Sequence, residues 1–128
     1  MAMISDEKFK CFVRFMINVA KQKRCVPYYE IENIFGLNHE QGGWYAGKLG
    51  DFCIYKGYPP LNGLVINTTD CIPSYGFNSH QKKYGKTWGE IVRDCWKRFH
   101  VKSTRPKQVQ DFAGLDTKIE KFLKEHNE

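Results

Sequence analysis

The sequence has little that would identify an enzyme. It contains no G-x-S-x-G nucleophile motif, no complete P-loop and no dinucleotide-binding glycine pattern. Its four histidines lie far apart without an H-x-x-x-H pair, and its cysteines include no C-x-x-C pair. We therefore expect no bound metal and no cofactor, and we favour a non-enzymatic function.

The sequence also lacks the features of secreted and membrane proteins. The five cysteines are odd in number and widely spread, whereas a secreted disulfide scaffold shows a dense and even set. No apolar run approaches the length of a membrane span. Near the N-terminus, Asp6, Glu7, Lys8 and Lys10 stand where a signal peptide would be apolar. We expect free thiols, a cytoplasmic location and no association with membranes.

Positive charge is present and unevenly distributed. The chain has 20 Lys and Arg against 14 Asp and Glu, a net charge of +6. The basic residues of segment 81–108 are Lys82, Lys83, Lys86, Arg93, Lys97, Arg98, Lys102, Arg105 and Lys107. Only Glu90 and Asp94 oppose them, so this segment alone has a net charge of +7. Such clustering is what a phosphate-binding face needs, although an ordinary solvated face would have the same composition.

Hydrophobic periodicity predicts three helices in the first half of the chain. The first follows the N-cap Ser5 and has apolar residues at helical spacing up to Ala20. The second begins near Pro27 and ends at Gly36, and the third follows Asn38 in a capping-box pattern. The spacing in the third helix turns four residues toward the core: Tyr45, Leu49, Phe52 and Cys53. It turns four others toward solvent: Gln41, Trp44, Lys48 and Asp51.

Shorter elements are predicted in the second half. Residues 61–67 indicate a buried strand, and Cys71-Ile72 a return strand, which together would form a wing-like hairpin. Residues 76–85 are polar and basic, which indicates a loop. A capping box at Thr87 and Glu90 begins a strongly amphipathic helix, and a short helix spans 117–126. The inward residues of the amphipathic helix are Trp88, Ile91, Val92, Cys95, Trp96 and Phe99. The predicted fold is α+β and winged-helix-like: three N-terminal helices, a small β-hairpin and two additional C-terminal helices in one domain, residues 1–128.

Residues 26–52 have the order of a helix-turn-helix, with a short glycine-containing turn between two helices. In the DNA-binding form of this motif, the second helix enters the major groove and residues in its N-terminal half read bases. Gln41, Trp44 and Lys48 would occupy those positions. An ordinary helical hairpin gives the same pattern, so both interpretations stay open on this observation alone.

Three stretches within residues 26–76 carry a family resemblance: VPYYEIENIFGL, GKLGDF and PPLNGLVINTTDCIPSYGF. In order and spacing they are similar to the winged-helix DNA-binding domain of the O6-alkylguanine-DNA alkyltransferases and alkyltransferase-like proteins. The corresponding residues are Tyr28, Tyr29, Ile31, Gly36, Leu37, Gly47, Leu49, Pro60, Val65, Ile66 and Asn67. The resemblance implies a winged-helix fold and, through it, DNA binding.

The reactive motif of that family is absent. Pro60-Leu61-Asn62-Gly63 stands in place of P-C-H-R, so the chain has no cysteine there to accept an alkyl group. The recognition-helix arginine of the family is also missing, with Gly43-Trp44-Tyr45 in its neighbourhood. The resemblance therefore does not imply alkyl transfer.

The sequence predicts a non-enzymatic nucleic-acid-binding protein, with DNA favoured over RNA as the partner. The candidate binding residues are Gln41, Trp44, Lys48, Lys82, Lys83, Lys86, Arg93, Lys97, Arg98, Lys102 and Arg105. Two alternatives stay open. One is a protein-binding inhibitor or adaptor module whose contact patch is Trp44, Tyr55 and Tyr58. The other is a small metal-dependent nuclease that uses Asp70, His80 and Glu90.

Overall fold

Helices make up most of the structure. The computed structural model describes residues 5–99 and 114–126. In chain order its elements are α1 (Asp6–Lys21), β1 (Val26–Pro27), α2 (Tyr28–Phe35), α3 (His39–Lys56), a 3-10 helix (Leu61–Leu64), β2 (Val65–Ile66), α4 (Phe77–Tyr84), α5 (Trp88–Arg98) and α6 (Leu115–His126). The two strands form a small parallel sheet, which fits the predicted α+β class. Within the two described ranges, no helix is both long and apolar enough to cross a membrane.

Helix α1 forms one wall of the core. Ser5 caps it, because the Ser5 Oγ accepts a hydrogen bond from the Lys8 amide at 3.3 Å. The helix contacts the 3-10 helix, α3, α5 and α6. Its inward residues are buried, as the helical spacing predicted: Phe9, Phe12, Val13, Met16, Ile17 and Ala20.

The α2–α3 pair forms where it was predicted. Gly36 ends α2 in the left-handed conformation, with a φ of 65°, which glycine adopts without a steric penalty. Asn38 and Gln41 make both hydrogen bonds of the capping box at the start of α3, at 2.8 and 2.9 Å. The inward residues of α3 are buried, also as predicted: Tyr45, Leu49, Phe52 and Cys53. The two helices are joined by a short turn in which Leu37 is buried.

The hairpin predicted for residues 61–72 is not formed there. Strand β2 pairs in parallel with β1, with Val26 opposite Val65 and Pro27 opposite Ile66. Residues 61–64, predicted to begin the strand, form the 3-10 helix. Residues 67–72 close a tight turn, in which Cys71 has a φ of 60° that excludes a strand. The prediction was wrong because the apolar pattern of residues 61–72 does not reveal a partner strand that precedes α2 and α3 in the chain.

Residues 76–85, predicted to be a loop, contain helix α4. Phe77 and His80 lie one turn apart and are its buried residues, and Gly85 ends the helix with a φ of 84°. The prediction was wrong because only these two side chains of a polar helix are buried, which leaves a weak apolar periodicity. Lys82 and Lys83 are therefore held on a helix.

Helices α5 and α6 form where they were predicted, with a difference at Val92 and two tryptophans, which are only partly buried. The buried residues of α5 and its C-cap are Ile91, Cys95 and Phe99. Trp88 and Trp96, predicted to be core residues, are partly buried and pack against the edge of the core. Their indole N–H groups donate to the carbonyls of Gly63 and Arg24, at 2.8 and 3.4 Å. A border position suits indole, because its ring is apolar and its N–H needs an acceptor.

The five cysteines of the native protein should fall into groups that differ in how fast their thiols react. Cys11 and Cys71 are exposed, whereas Cys53 and Cys95 are buried. Burial raises the pKa of the Cys53 thiol to about 12 and also raises the pKa of Cys95, and the thiolate is the reactive form. At mildly alkaline pH, iodoacetamide should alkylate Cys11 and Cys71 quickly and reach Cys53 and Cys95 only on unfolding. Mass-spectrometric mapping of alkylated peptides over time measures this order.

A double variant, Cys11→Ser with Cys71→Ser, is the control for that experiment. It should lose the fast phase and keep its circular dichroism spectrum. Cys25 is half-buried and its pKa is raised by burial, so its alkylation should be slow. Fast alkylation of Cys53 or Cys95 in the folded double variant would contradict their buried positions.

Candidate nucleic-acid interface

Trp44 lies on the exposed face of α3, and its side chain is 38% exposed. On either side of it, a Cβ added at Gly43 or Gly47 would meet nothing within 4 Å. Gln41 differs, because its Oε1 accepts a hydrogen bond from the Asn38 amide in the capping box. Of these two predicted base-reading residues, only Trp44 presents a side chain that is not engaged in the helix cap.

Lys48 and Lys83 line the same cleft. Lys48 lies one turn beyond Trp44 on α3, and its Nζ donates to the carbonyl of His126 at 3.3 Å. Lys83 projects from α4, which packs beside α3. The cleft has a volume of about 340 Å³ and lies between α3, α4 and α6. Lys83, a basic residue of segment 81–108, therefore lies next to α3. The sequence did not predict this position, because it indicated a loop at residues 76–85.

A second groove continues the row of lysines along α4. It lies between α4 and the start of α5, has a volume of about 460 Å³ and is lined by Lys82 and Lys86. Lys86 also donates to Oδ2 of Asp94 at 2.8 Å, and this hydrogen bond lowers the pKa of Asp94. Lys82 and Lys83 are consecutive residues of α4, and they line the groove and the cleft respectively. We call Lys48, Lys83, Lys82 and Lys86 the lysine strip.

The other predicted basic residues have different surroundings. Arg93 and Lys97 are exposed on α5, one turn apart. The guanidinium of Arg98 lies over the Tyr58 ring, 4.8 Å from its centroid, which is a cation–π contact. Lys102 and Arg105 lie outside the described residues. Arg93 and Lys97 are thus solvent-facing, whereas Arg98 also packs against the fold.

A hydrogen-bond chain holds α4 against α3. His80 on α4 is only 5% exposed. Its Nε2 lies 2.8 Å from Oδ1 of Asp51, and its Nδ1 lies 3.1 Å from Nδ2 of Asn62. Because an amide nitrogen donates, Nδ1 accepts from Asn62 and the Nε2–H group donates to the carboxylate. The chain Asp51–His80–Asn62 therefore ties together α3, α4 and the 3-10 helix.

Asp51 stays charged to a lower pH than an ordinary aspartate. Burial by itself would raise its pKa, but the hydrogen bond donated by His80 lowers it, and the net shift of the pKa is downward. The charges of Lys48 and Lys83 act in the same direction. Both lysines are therefore close enough to this carboxylate to stabilise its charge.

Gly50 provides the space for the hydrogen-bond chain. A Cβ at this position would lie 2.6 Å from ring atoms of His80 and 2.7 Å from Nδ2 of Asn62. The sequence placed Asp51 on a solvent-facing surface and His80 in a nuclease site, and the pairing of the two was missed. One signal was present, because Asn62 is a polar residue within the buried run LNGLVIN.

The three candidate nuclease residues have separate structural roles. Oδ1 of Asp70 accepts from the Ile72 amide at 3.3 Å in the 67–72 turn. Glu90 accepts from the Thr87 amide at 3.0 Å in the capping box of α5, and His80 is engaged in the hydrogen-bond chain. No group of three or more His, Cys, Asp or Glu in the described part of the chain could hold a metal ion.

The aromatic residues of the protein-binding alternative are only partly on the surface. Tyr55 is 38% exposed, and its hydroxyl donates to Glu125 at 2.9 Å. Tyr58 is half-buried and packs edge-on against Phe52 and Phe99, with ring centroids 6.0 and 5.7 Å apart. Trp44 and Tyr55 are thus surface aromatics of α3, whereas Tyr58 is part of the packing.

The resemblance of residues 26–76 to the alkyltransferase-like winged-helix domain stays a prediction. No protein-family model, curated protein or solved structure matches the chain.

Proposed function

We propose that the protein binds nucleic acid without altering it, and that duplex DNA is preferred over RNA. The observation that carries this proposal is that Lys48 of α3 and Lys83 of α4 line one cleft. Contacts between lysines and phosphates supply much of the affinity of DNA-binding proteins. The lysine strip extends the same charge to Lys82 and Lys86, so several phosphates can be contacted at once.

In this proposal α2 and α3 act as a helix-turn-helix, as the alkyltransferase-like resemblance implies. Trp44 contacts bases, because its indole is exposed in the N-terminal half of α3. Gln41 keeps its place in the capping box, since the loss of a cap costs about 0.5–2 kcal/mol. The winged-helix assignment then depends on the helices, because residues 61–72 form no hairpin.

Further phosphate contacts come from the exposed residues of α5. Arg93 and Lys97 lie one turn apart and face solvent. Lys102 and Arg105, outside the described residues, join them on the basis of sequence. All five cysteines are free thiols, which suits a reducing compartment, and we place the protein in the cytoplasm.

Binding to duplex DNA should be mainly electrostatic. Neutralisation of about four to six phosphates would give a slope of roughly −4 to −5 in a plot of log affinity against log salt concentration. Lys82→Ala and Lys83→Ala should each weaken binding similarly for all sequences and reduce the slope by about one. Fluorescence anisotropy with labelled duplexes at several salt concentrations measures both effects.

Lys118→Ala is the matched control for these variants. It removes the same charge from an exposed position on α6 outside the lysine strip, so the slope should not change. A protein that binds neither DNA nor RNA at low salt would contradict the proposal and direct attention to a protein partner at Trp44. Nicking of plasmid DNA with Mg²⁺ that disappears in His80→Ala would instead favour the nuclease.

A further inference from the structure

We propose that the cleft between α3, α4 and α6 binds a nucleoside monophosphate group. Its volume of about 340 Å³ is at the small end of the range for small-molecule sites, which suits one nucleotide. Five of the lining residues carry the argument: Lys48, Asp51, Tyr55, Lys83 and His126. The inference rests on the proposed function only for the source of the ligand, which is either a strand end or a free nucleotide.

Lys48 and Lys83 supply the phosphate side of the cleft. They project from different helices and line the same cleft, and the charges of both lower the pKa of Asp51. Lys48 donates one N–H to the His126 carbonyl and has two more to donate. A phosphate between the two lysines would accept charge-assisted hydrogen bonds from both.

Asp51 determines which kind of phosphate compound fits. Because a charged carboxylate repels phosphate, Asp51 would face another part of the ligand, and its Oδ1 accepts from His80 at 2.8 Å. Its second oxygen can accept a hydrogen bond from an amino or hydroxyl group of a ligand. The cleft therefore has a cationic side and an acceptor side. This combination matches a nucleotide better than it matches inorganic phosphate.

Tyr55 provides a surface on which a base can stack. Its ring is held by the hydrogen bond to Glu125 and by contacts with Phe122 and His126, at centroid distances of 5.4 and 4.9 Å. Nζ of Lys56 also lies over the ring, 5.9 Å from its centroid, and the residue is 38% exposed. Aromatic side chains with an accessible face stack on nucleobases regardless of the base. His126 hydrogen-bonds the Phe122 carbonyl through Nδ1, which leaves Nε2 for the ligand.

Isothermal titration calorimetry with adenosine 5′-monophosphate, adenosine and inorganic phosphate tests the proposal. The monophosphate should bind about tenfold more tightly than either fragment, because only it reaches the lysines and Tyr55 together. Lys83→Ala should weaken its binding about tenfold. Lys118→Ala is the control, because this exposed lysine is in the lining of neither the cleft nor the groove. Tyr55→Leu should weaken binding of the monophosphate and leave inorganic phosphate unaffected, whereas Tyr55→Phe should keep the stacking.

Single-stranded oligonucleotides with and without a 5′-phosphate identify the source of the ligand. A preference for the phosphorylated strand that Lys83→Ala removes would assign the cleft to strand ends. Binding of the free monophosphate without that preference would assign it to a soluble nucleotide. Either result supports the nucleotide site.

Two results would overturn the nucleotide site in protein that circular dichroism shows to be folded. One is no heat of binding for the monophosphate at millimolar concentration. The other is equal binding by the native protein and Lys83→Ala. Duplex binding with the expected salt slope would still support the lysine strip in both cases. Binding of the monophosphate without any duplex binding would instead contradict the proposed function and support the nucleotide site.

Discussion

Replacement of Gly50 by alanine is expected to destabilise the protein by about 2–4 kcal/mol, through overpacking and a displaced buried hydrogen bond. The new methyl group would stand 2.6 Å from the His80 ring and 2.7 Å from the Asn62 amide. Both side chains are buried, and neither can move without breaking the hydrogen bond between them. The melting temperature followed by circular dichroism should fall by roughly 5–15 °C.

Gly47→Ala is the matched control on the same helix. A Cβ at Gly47 would meet nothing within 4 Å, so alanine there should stabilise the helix by about 0.5–1 kcal/mol. The same chemical change is thus expected to have opposite signs at two positions one turn apart. Equal stability of the two variants would show that His80 and Asn62 do not pack against Gly50.

Phe122→Ala is expected to cost about 3–5 kcal/mol of the free energy of unfolding. Phe122 is 1% exposed. Its ring lies 6.5, 5.3 and 5.4 Å from the ring centroids of Phe9, Phe52 and Tyr55. It therefore anchors α6 to α1 and α3, and its removal should leave a cavity between the three helices. Urea denaturation monitored by fluorescence measures the loss.

Lys121→Ala tests whether the loss is specific to the buried ring. Lys121 is the preceding residue of α6 and is exposed, so its replacement should change the stability little. Phe122 also lines the cleft, and Phe122→Ala should weaken the binding of adenosine 5′-monophosphate wherever the variant stays folded. An unchanged unfolding free energy for Phe122→Ala would mean that α6 is not docked on α1 and α3.

Features of the fold that depend on neighbouring residues could be predicted from the sequence. Ser5, Asn38 and Thr87 cap their helices as expected, because an N-cap hydrogen bond spans a single turn. The buried face of α1 followed from its apolar spacing. Helix α4 escaped prediction because one of its two buried residues, His80, is polar and finds its partners on other elements.

The candidate site was predictable residue by residue, but its arrangement was not. Lys48 and Lys83 were both candidates, and the cleft that they line lies where His80 of α4 pairs with Asp51 of α3. That pairing joins distant parts of the chain and leaves no local pattern. Gln41 is different, since the sequence assigned it both to a capping box and to base reading. Its Oε1 makes the capping-box bond, and base reading by this residue stays a prediction.

The parallel pairing of β1 with β2 restrains the α2–α3 unit, so this unit loses little conformational entropy when a ligand binds to it. One strand directly precedes α2 and the other follows α3 after the 3-10 helix, so their pairing joins the two ends of the unit. Val26 and Val65 are fully buried, and strands this short are stable only within such packing. A ligand that contacts α3 therefore meets a preorganised surface. Its binding loses less conformational entropy than binding to a mobile segment, which gives a higher affinity for the same contacts.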